Sequence, residues 1–113
     1  PKVSLINSKT LSKMKNNQLK HEMGYLDDKL NFYDFTFAGP GTGFSYGFAT
    51  IENPNIVPQK TPKNVLSWAG AANTIVWIDQ INKIVFTFFT QLIPFGYQNY
   101  KKELHEILYS DIN

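Results

Sequence analysis

The sequence predicts an α+β fold in which an antiparallel sheet is flanked by an N-terminal and a C-terminal helix. Three observations predict it. Thr74 to Ile78 and Ile84 to Phe89 are short, nearly unbroken apolar runs of Val, Ile, Thr, Trp and Phe, and only Asp79-Gln80-Ile81-Asn82-Lys83 separates them, the spacing of a hairpin. Tyr100, Leu104, Ile107 and Leu108 recur at i, i+4, i+7 and i+8, which gives a helix one apolar face. Asn7 is a good N-cap for a helix on which Leu11, Met14 and Gln18 or Leu19 share a side.

In chain order, the first helix is expected from about Ser8 to Leu19, polar on its remaining sides. Lys20 to Gly43 has no sustained period and closes on Gly39-Pro40-Gly41-Thr42-Gly43, so it reads as a long connection. From Gly43 to Glu52 the aromatics Phe44, Tyr46 and Phe48 alternate with the small residues Ser45, Gly47 and Ala49, which predicts one continuous strand. "NPNIVPQKTPKN" is a loop by its prolines and asparagines. Val65 to Gly70 is a shorter strand, and Asn73, which tolerates left-handed backbone angles, is placed at the tight reversal into the hairpin. The two hairpin runs are apolar enough to be strands buried on both faces. The closing helix turns Lys101, Lys102, Glu103, His105 and Glu106 away from its apolar face.

A chain of 113 residues is one domain or part of one, and 42% hydrophobic with 15% aromatic content excludes a disordered segment. A net charge of +2 with lysines scattered among acids makes no basic stripe, so no nucleic-acid partner is expected. There is no cysteine, hence no disulfide frame and no thiolate chemistry. The longest apolar region, Ile84 to Tyr97, is interrupted by Thr87, Thr90, Gln91 and Pro94 and falls short of the ~20 residues of a spanning helix, so it is core and no membrane span is expected. The sequence opens on Pro1 without a signal-peptide pattern, and the expectation is that an upstream portion has been removed.

Gly43-Phe44-Ser45-Tyr46-Gly47 satisfies the G-x-S-x-G pattern of a nucleophile elbow. An elbow needs a sharp strand-to-helix turn, and no helix pattern begins after Ser45, so Ser45 reads as a small residue on a strand. Ser12-Lys13-Met14-Lys15 has the form S-x-x-K, but it lies inside a lysine-rich surface helix, where a lysine that is not desolvated stays charged and takes no proton. His21 and His105 stand far apart, each beside a glutamate and without metal-ligand spacing, and both are expected in solvent; no metal or cofactor is expected. Asp27-Asp28 reads as surface charge, and the glycines at 39, 41 and 43 lack the Lys-Ser or Lys-Thr and the helix of a phosphate loop. Trp77 is a core aromatic, and Trp68, taken by itself, reads as one too.

"WAGAANTIVWIDQINKIVFTFFTQLIPFG", Trp68 to Gly96, resembles the last sheet strands of the serine β-lactamase-related hydrolases: class C β-lactamases, penicillin-binding-protein-like peptidases and carboxylesterase relatives. "GTGFSYGFAT" resembles the family's glycine- and aromatic-rich strand, "NSKTLSKMKNNQL" a surface helix, and "LHEILYSDI" the closing helix. The resemblance covers only the C-terminal third or so of such an enzyme, and it implies a single partial domain over 1–113 with the C-terminal part of a β-lactamase/transpeptidase-like fold. The family acts through three boxes. S-x-x-K supplies the nucleophile and its base, Y-x-N a proton-shuttling tyrosine, and K-T-G a strand that helps to hold the oxyanion. Trp68-Ala69-Gly70 stands at the third box in W-x-G form, and the resemblance makes the N–H of Ala71 the oxyanion donor. Trp68 replaces the cation that would meet a β-lactam carboxylate. Tyr97-Gln98-Asn99 has the form Y-x-N but follows the third box instead of preceding it.

The resemblance thus implies the C-terminal part of an esterase- or peptidase-like serine hydrolase, acting on a small ester or amide, with no catalytic nucleophile in this chain. Its first partner would be the missing N-terminal portion of the same enzyme, and its compartment the bacterial periplasm or cell envelope. Alone, the chain is expected to hydrolyse nothing and to self-associate. The rival expectation is a non-catalytic assembly or binding module.

Overall fold

The structure is a computed structural model, and it describes residues 4–22, 39–57, 61–93, 100–110 and 112. Five strands form one antiparallel sheet in chain order: β1 (Thr42–Phe44), β2 (Ala49–Ile51), β3 (Leu66–Ala69), β4 (Ile75–Asp79) and β5 (Ile84–Phe88). Helix α1 (Ser8–Lys15) precedes the sheet and α2 (Tyr100–Ser110) follows it. The α+β class with an antiparallel sheet and two helices is therefore present. Tyr97-Gln98-Asn99 and Asp27-Asp28 lie outside the described residues.

The strand expected from Gly43 to Glu52 is two strands. Phe44 pairs with Ala49, and Ser45 to Phe48 make the turn between them. Gly47 adopts φ 96, which an alternating strand cannot contain and which glycine reaches without a Cβ penalty. Ser45 closes the turn from both its ends: its N–H donates to Phe48 O at 2.7 Å and its Oγ to the same oxygen at 3.2 Å. The small–aromatic alternation thus belongs to a hairpin whose bend falls inside the pattern.

The later turns follow the sequence more closely. Asn73 stands at φ 62 with its N–H donating to Gly70 O at 3.0 Å, which turns β3 into β4, and Lys83 at φ 59 ends the connection from β4 to β5. The registers Ser67↔Trp77↔Phe86 and Ala69↔Ile75↔Phe88 align one face of three strands. Trp77 is central to it: 4% exposed, stacked on Phe86 at 5.0 Å, and packed in the core with Ala49, Ile51, Val57, Val65 and Ile75. Burying that indole contributes on the order of 3 kcal/mol.

Helix α2 covers this face with a stripe that differs from the apolar one. His105 and Tyr109 are buried and Leu104 and Leu108 are packed against the core, whereas Ile107 points outward, 71% exposed. The helix is rotated toward its aromatic polar residues because they find partners beneath it. The expectation that β5 is buried on both faces also fails. Along β5 exposure alternates, with Val85 70% exposed and Thr87 exposed, and Phe89 just beyond is 81% exposed. The run is continuous in sequence, yet only alternate residues are covered.

Helix α1 ends at Lys15, earlier than Leu19, because Asn16 is extended and Asn17 turns to the sheet. Asn17 Oδ1 accepts the Phe44 N–H at 2.9 Å, and the Gln18 N–H donates to Phe44 O at 2.8 Å. The segment after α1 thus closes the outer edge of β1, and α1 itself buries no residue.

Candidate functional site

The third-box residues sit where β3 outruns its neighbour. Pairing with β2 stops at Ala49↔Ser67, so Trp68 and Ala69 extend past β2, while Gly70 and Ala71 enter the turn. Trp68 is 38% exposed, and its ring meets Phe44 edge-on at 5.1 Å. At Gly70 a Cβ would meet Thr74 Oγ1, so a side chain there requires the Thr74 hydroxyl to rotate away. Ala71 is exposed, and among the described residues no backbone carbonyl takes its N–H.

Trp68, Ala69 and Gly70 form one wall of a groove of about 290 Å³, completed by Thr74, Ile75 and Val76 and by Thr87 and Phe89. Every lining residue is uncharged. An apolar or acyl group is accommodated by such a wall, whereas a carboxylate would lose water without gaining a cation. The groove contains neither a nucleophile paired with a base nor a metal-binding set; no group of three potential metal ligands exists among the described residues.

The rejected serine motifs occupy other places. Ser45 is buried in its turn, its hydroxyl committed to Phe48 O. Ser12 and Lys15 are exposed on α1, where both line a second groove of about 460 Å³ together with Asn64 and Gln80. Ser67, beside Trp68 in sequence, faces the core row instead of the groove; it is 1% exposed and, among the described residues, its Oγ has no hydrogen-bond partner.

A buried polar cluster went unanticipated. Asp79, 2% exposed, accepts four hydrogen bonds: Oδ1 from the N–H groups of Ile81 and Asn82, both at 3.0 Å, and Oδ2 from Asn82 Nδ2 at 2.7 Å and the Tyr109 hydroxyl at 3.0 Å. Burial pushes the carboxyl up, but the bonds from Asn82, Tyr109 and Ile81 together outweigh it and hold Asp79 below the ordinary carboxylate value. The Tyr109 phenol is pushed far up by burial and by Asp79. His105, expected in solvent, is 5% exposed; its ring lies 4.5 Å from that of Tyr109 and edge-on to Trp77 at 5.7 Å, and Nε2 is 3.1 Å from Thr61 Oγ1. Burial pushes its pKa down, with Glu106 opposing.

Thr61 and His105 have the hydroxyl–imidazole contact of an activated nucleophile, but Asp79, the buried carboxylate of the cluster, is bonded to Tyr109 and not to the imidazole. Neither groove is lined by Asp79, Asn82, His105, Tyr109 or Thr61; only Ile81, which donates its backbone N–H to Asp79, also borders the groove at Ser12. Its chemistry is that of a clamp, fastening α2 to the β4–β5 connection and to the loop at Thr61. Two signals for it were in the sequence: Asp79 at the start of a short connection, where carboxylates cap turns, and His105 and Tyr109 four apart on the helix beside Leu104 and Leu108.

No protein-family model matches the chain, and no curated protein matches it. Among the described residues no helix is long and apolar enough to cross a membrane.

Proposed function

We propose that this chain is the C-terminal part of a β-lactamase-related serine hydrolase of esterase- or peptidase-like type, in which β3 and its groove form the acyl side of the site and the nucleophile comes from the portion preceding it. The observation that carries the reading is the uncharged groove bounded by Trp68, Ala69 and Gly70, at the end of a strand that leaves its neighbour there. An exposed indole beside a residue with no side chain is what a wall against a flat, neutral acyl group requires. The substrate class is a small neutral ester or amide. The rival reading, a non-catalytic assembly module, is favoured by the open edge of β5.

Fluorescence tests the groove in the chain as it is. Trp68 is half-exposed and Trp77 buried, so a short-chain acyl ester entering the groove should perturb emission in wild type and in Trp77→Phe but not in Trp68→Phe. Benzylpenicillin, with its carboxylate, should do so at least ~10-fold more weakly. Chromogenic esters and cephalosporins should turn over at background rates, because an oxyanion donor creates no nucleophile. Equal binding of ester and penicillin, or turnover abolished by Ser12→Ala or Ser45→Ala, would sink the proposal.

A further inference from the structure

The two edges of the sheet are treated differently. On β1 the chain at Asn17 and Gln18 takes up the Phe44 N–H and C=O. β5 has β4 on one side, and among the described residues nothing pairs with its other side. In an antiparallel sheet alternate residues of an edge strand point their N–H and C=O away from the neighbour, so β5 carries a row of open donors and acceptors. Natural edges are usually guarded by lysine, proline, a bulge or an inward charge. β5 has none of these: Ile84 to Ile93 contains no charged residue and no proline, and its pairing with β4 is regular from Ile84 to Phe88.

We infer that β5 pairs antiparallel with β5 of a second copy of this chain, about a two-fold axis passing through Thr87, so that the two sheets become one. Three features fix the occupant and the register. A strand without charge sets no like charges against each other when it meets itself. A two-fold in a continuous sheet matches inner face to inner face only if the axis passes through a residue, since side chains alternate with period 2. With the axis at Thr87, Val85 of each copy lies opposite Phe89 of the other. Val85 is the most exposed apolar side chain within β5 and Phe89 follows directly after its end, 70% and 81% exposed. β-Branched–aromatic pairs are a favourable cross-strand combination, and this register makes two of them. An axis at Phe86 would set Val85 against Thr87 and leave Phe89 uncovered. Because Phe89 lines the groove at Trp68, Val85 of the second copy also extends that groove's wall.

The pairing does not depend on the hydrolase reading, and different measurements address the two: scattering and cross-linking here, Trp68 emission and ester turnover there. Light scattering on the wild-type chain at micromolar concentration should give the mass of a dimer. Val85→Lys with Phe89→Lys sets like charges opposite each other twice and should yield a monomer, whereas Val85→Lys with Phe89→Glu sets opposite charges together and should remain a dimer. Both positions are exposed within one copy, so neither double variant should alter the circular dichroism of the folded chain. The chain lacks cysteine, which makes the register directly readable. In Thr87→Cys the two thiols face each other with Cα atoms about 4.5–5.5 Å apart, within disulfide range, and oxidised glutathione should cross-link the dimer. In Val85→Cys they are offset by four residues, about 13 Å, and should stay unlinked. A wild-type monomer across the micromolar range, with or without affinity for vesicles or other proteins, would overturn the inference. So would equal masses for the two charge variants, or cross-linking of Val85→Cys as fast as Thr87→Cys.

Discussion

A carboxylate with 2% of its surface exposed is tolerable only when its charge is met, and Asp79 meets it with four donors from three residues. The three shifted groups define a pH window. Asp79 and His105 both have depressed folded pKa values, so their contributions are present above the unfolded values of 3.8 and 6.5 and are lost as pH falls toward the folded ones. Tyr109 has a raised folded pKa, so its contribution is present below 10.0 and is lost as pH rises through the folded value. Urea midpoints should therefore be level between about pH 6.5 and 10 and fall on either side. Tyr109→Phe should lower stability by about 1.5–3 kcal/mol at pH 7, the worth of a hydrogen bond to a charged group, and remove the decline above pH 10. Ser67 is the opposite case. Among the described residues its buried hydroxyl finds no hydrogen-bond partner, so Ser67→Ala should leave stability unchanged or raise it by ~1 kcal/mol in the same urea titration. None of this was legible from residue type alone, since a histidine beside a glutamate on a charged helix reads as solvated until the turn beneath it is known.

At the level of the element, the hairpin from β3 to β5 was legible and the one from β1 to β2 was not. Asn73 and the polar residues after Ile78 break the apolar runs, so their turns announce themselves; Gly47 sits inside an alternation that a strand would also produce. Two glycines nearby separate backbone strain from collision. At Gly47, φ 96 leaves open space around a built Cβ, so Gly47→Ala should cost only the conformational penalty, about 1 kcal/mol. At Gly41, φ 82 coincides with a Cβ position 2.8 Å from Asn53 O and 2.7 Å from Ile56 Cγ1. The carbonyl of Gly41 also accepts from Glu52 and Asn53. Gly41→Ala should therefore cost about 3 kcal/mol or more, and chemical denaturation of the two variants side by side should give that order. The length of α1 was overestimated for a related reason: Asn17 is a modest helix former that does better as an acceptor for the edge of β1.

For the whole molecule, the class of fold was readable because apolar periodicity determines which faces are covered, whereas the proposed function rests on a resemblance at Trp68-Ala69-Gly70, and among the described residues the groove they line holds no nucleophile paired with a base. If the chain is the C-terminal part of a hydrolase, as proposed, Trp68→Ala in the complete protein should lower kcat/KM for neutral esters roughly 10-fold or more, and Trp68→Lys should move preference toward substrates bearing a carboxylate. The check is a pair of kcat/KM values, ester and β-lactam, for each folded variant; unchanged ratios would reduce Trp68 to a packing residue.

The sheet order β1-β2-β3-β4-β5 has a kinetic meaning as well. Every strand pairs with the one next to it in the chain, so contact order is low for a β-rich protein and no strand must wait for a distant partner. The sheet can close one hairpin after another. What must arrive from afar is α2, whose Tyr109 crosses from the end of the chain to Asp79. Barrier crossing is then expected to precede helix docking, with the clamp still open in the transition state. Tyr109→Phe should accelerate unfolding while leaving the refolding rate nearly unchanged, a φ-value near zero, whereas Trp77→Phe in the centre of the sheet should slow refolding. Stopped-flow chevrons of the two variants would separate these outcomes, and a slowed refolding limb in Tyr109→Phe would mean that the helix takes part in nucleation. If it does not, the native lifetime is set by the last contact to form, and a molecule this small is guarded against unfolding by one phenol and one carboxylate.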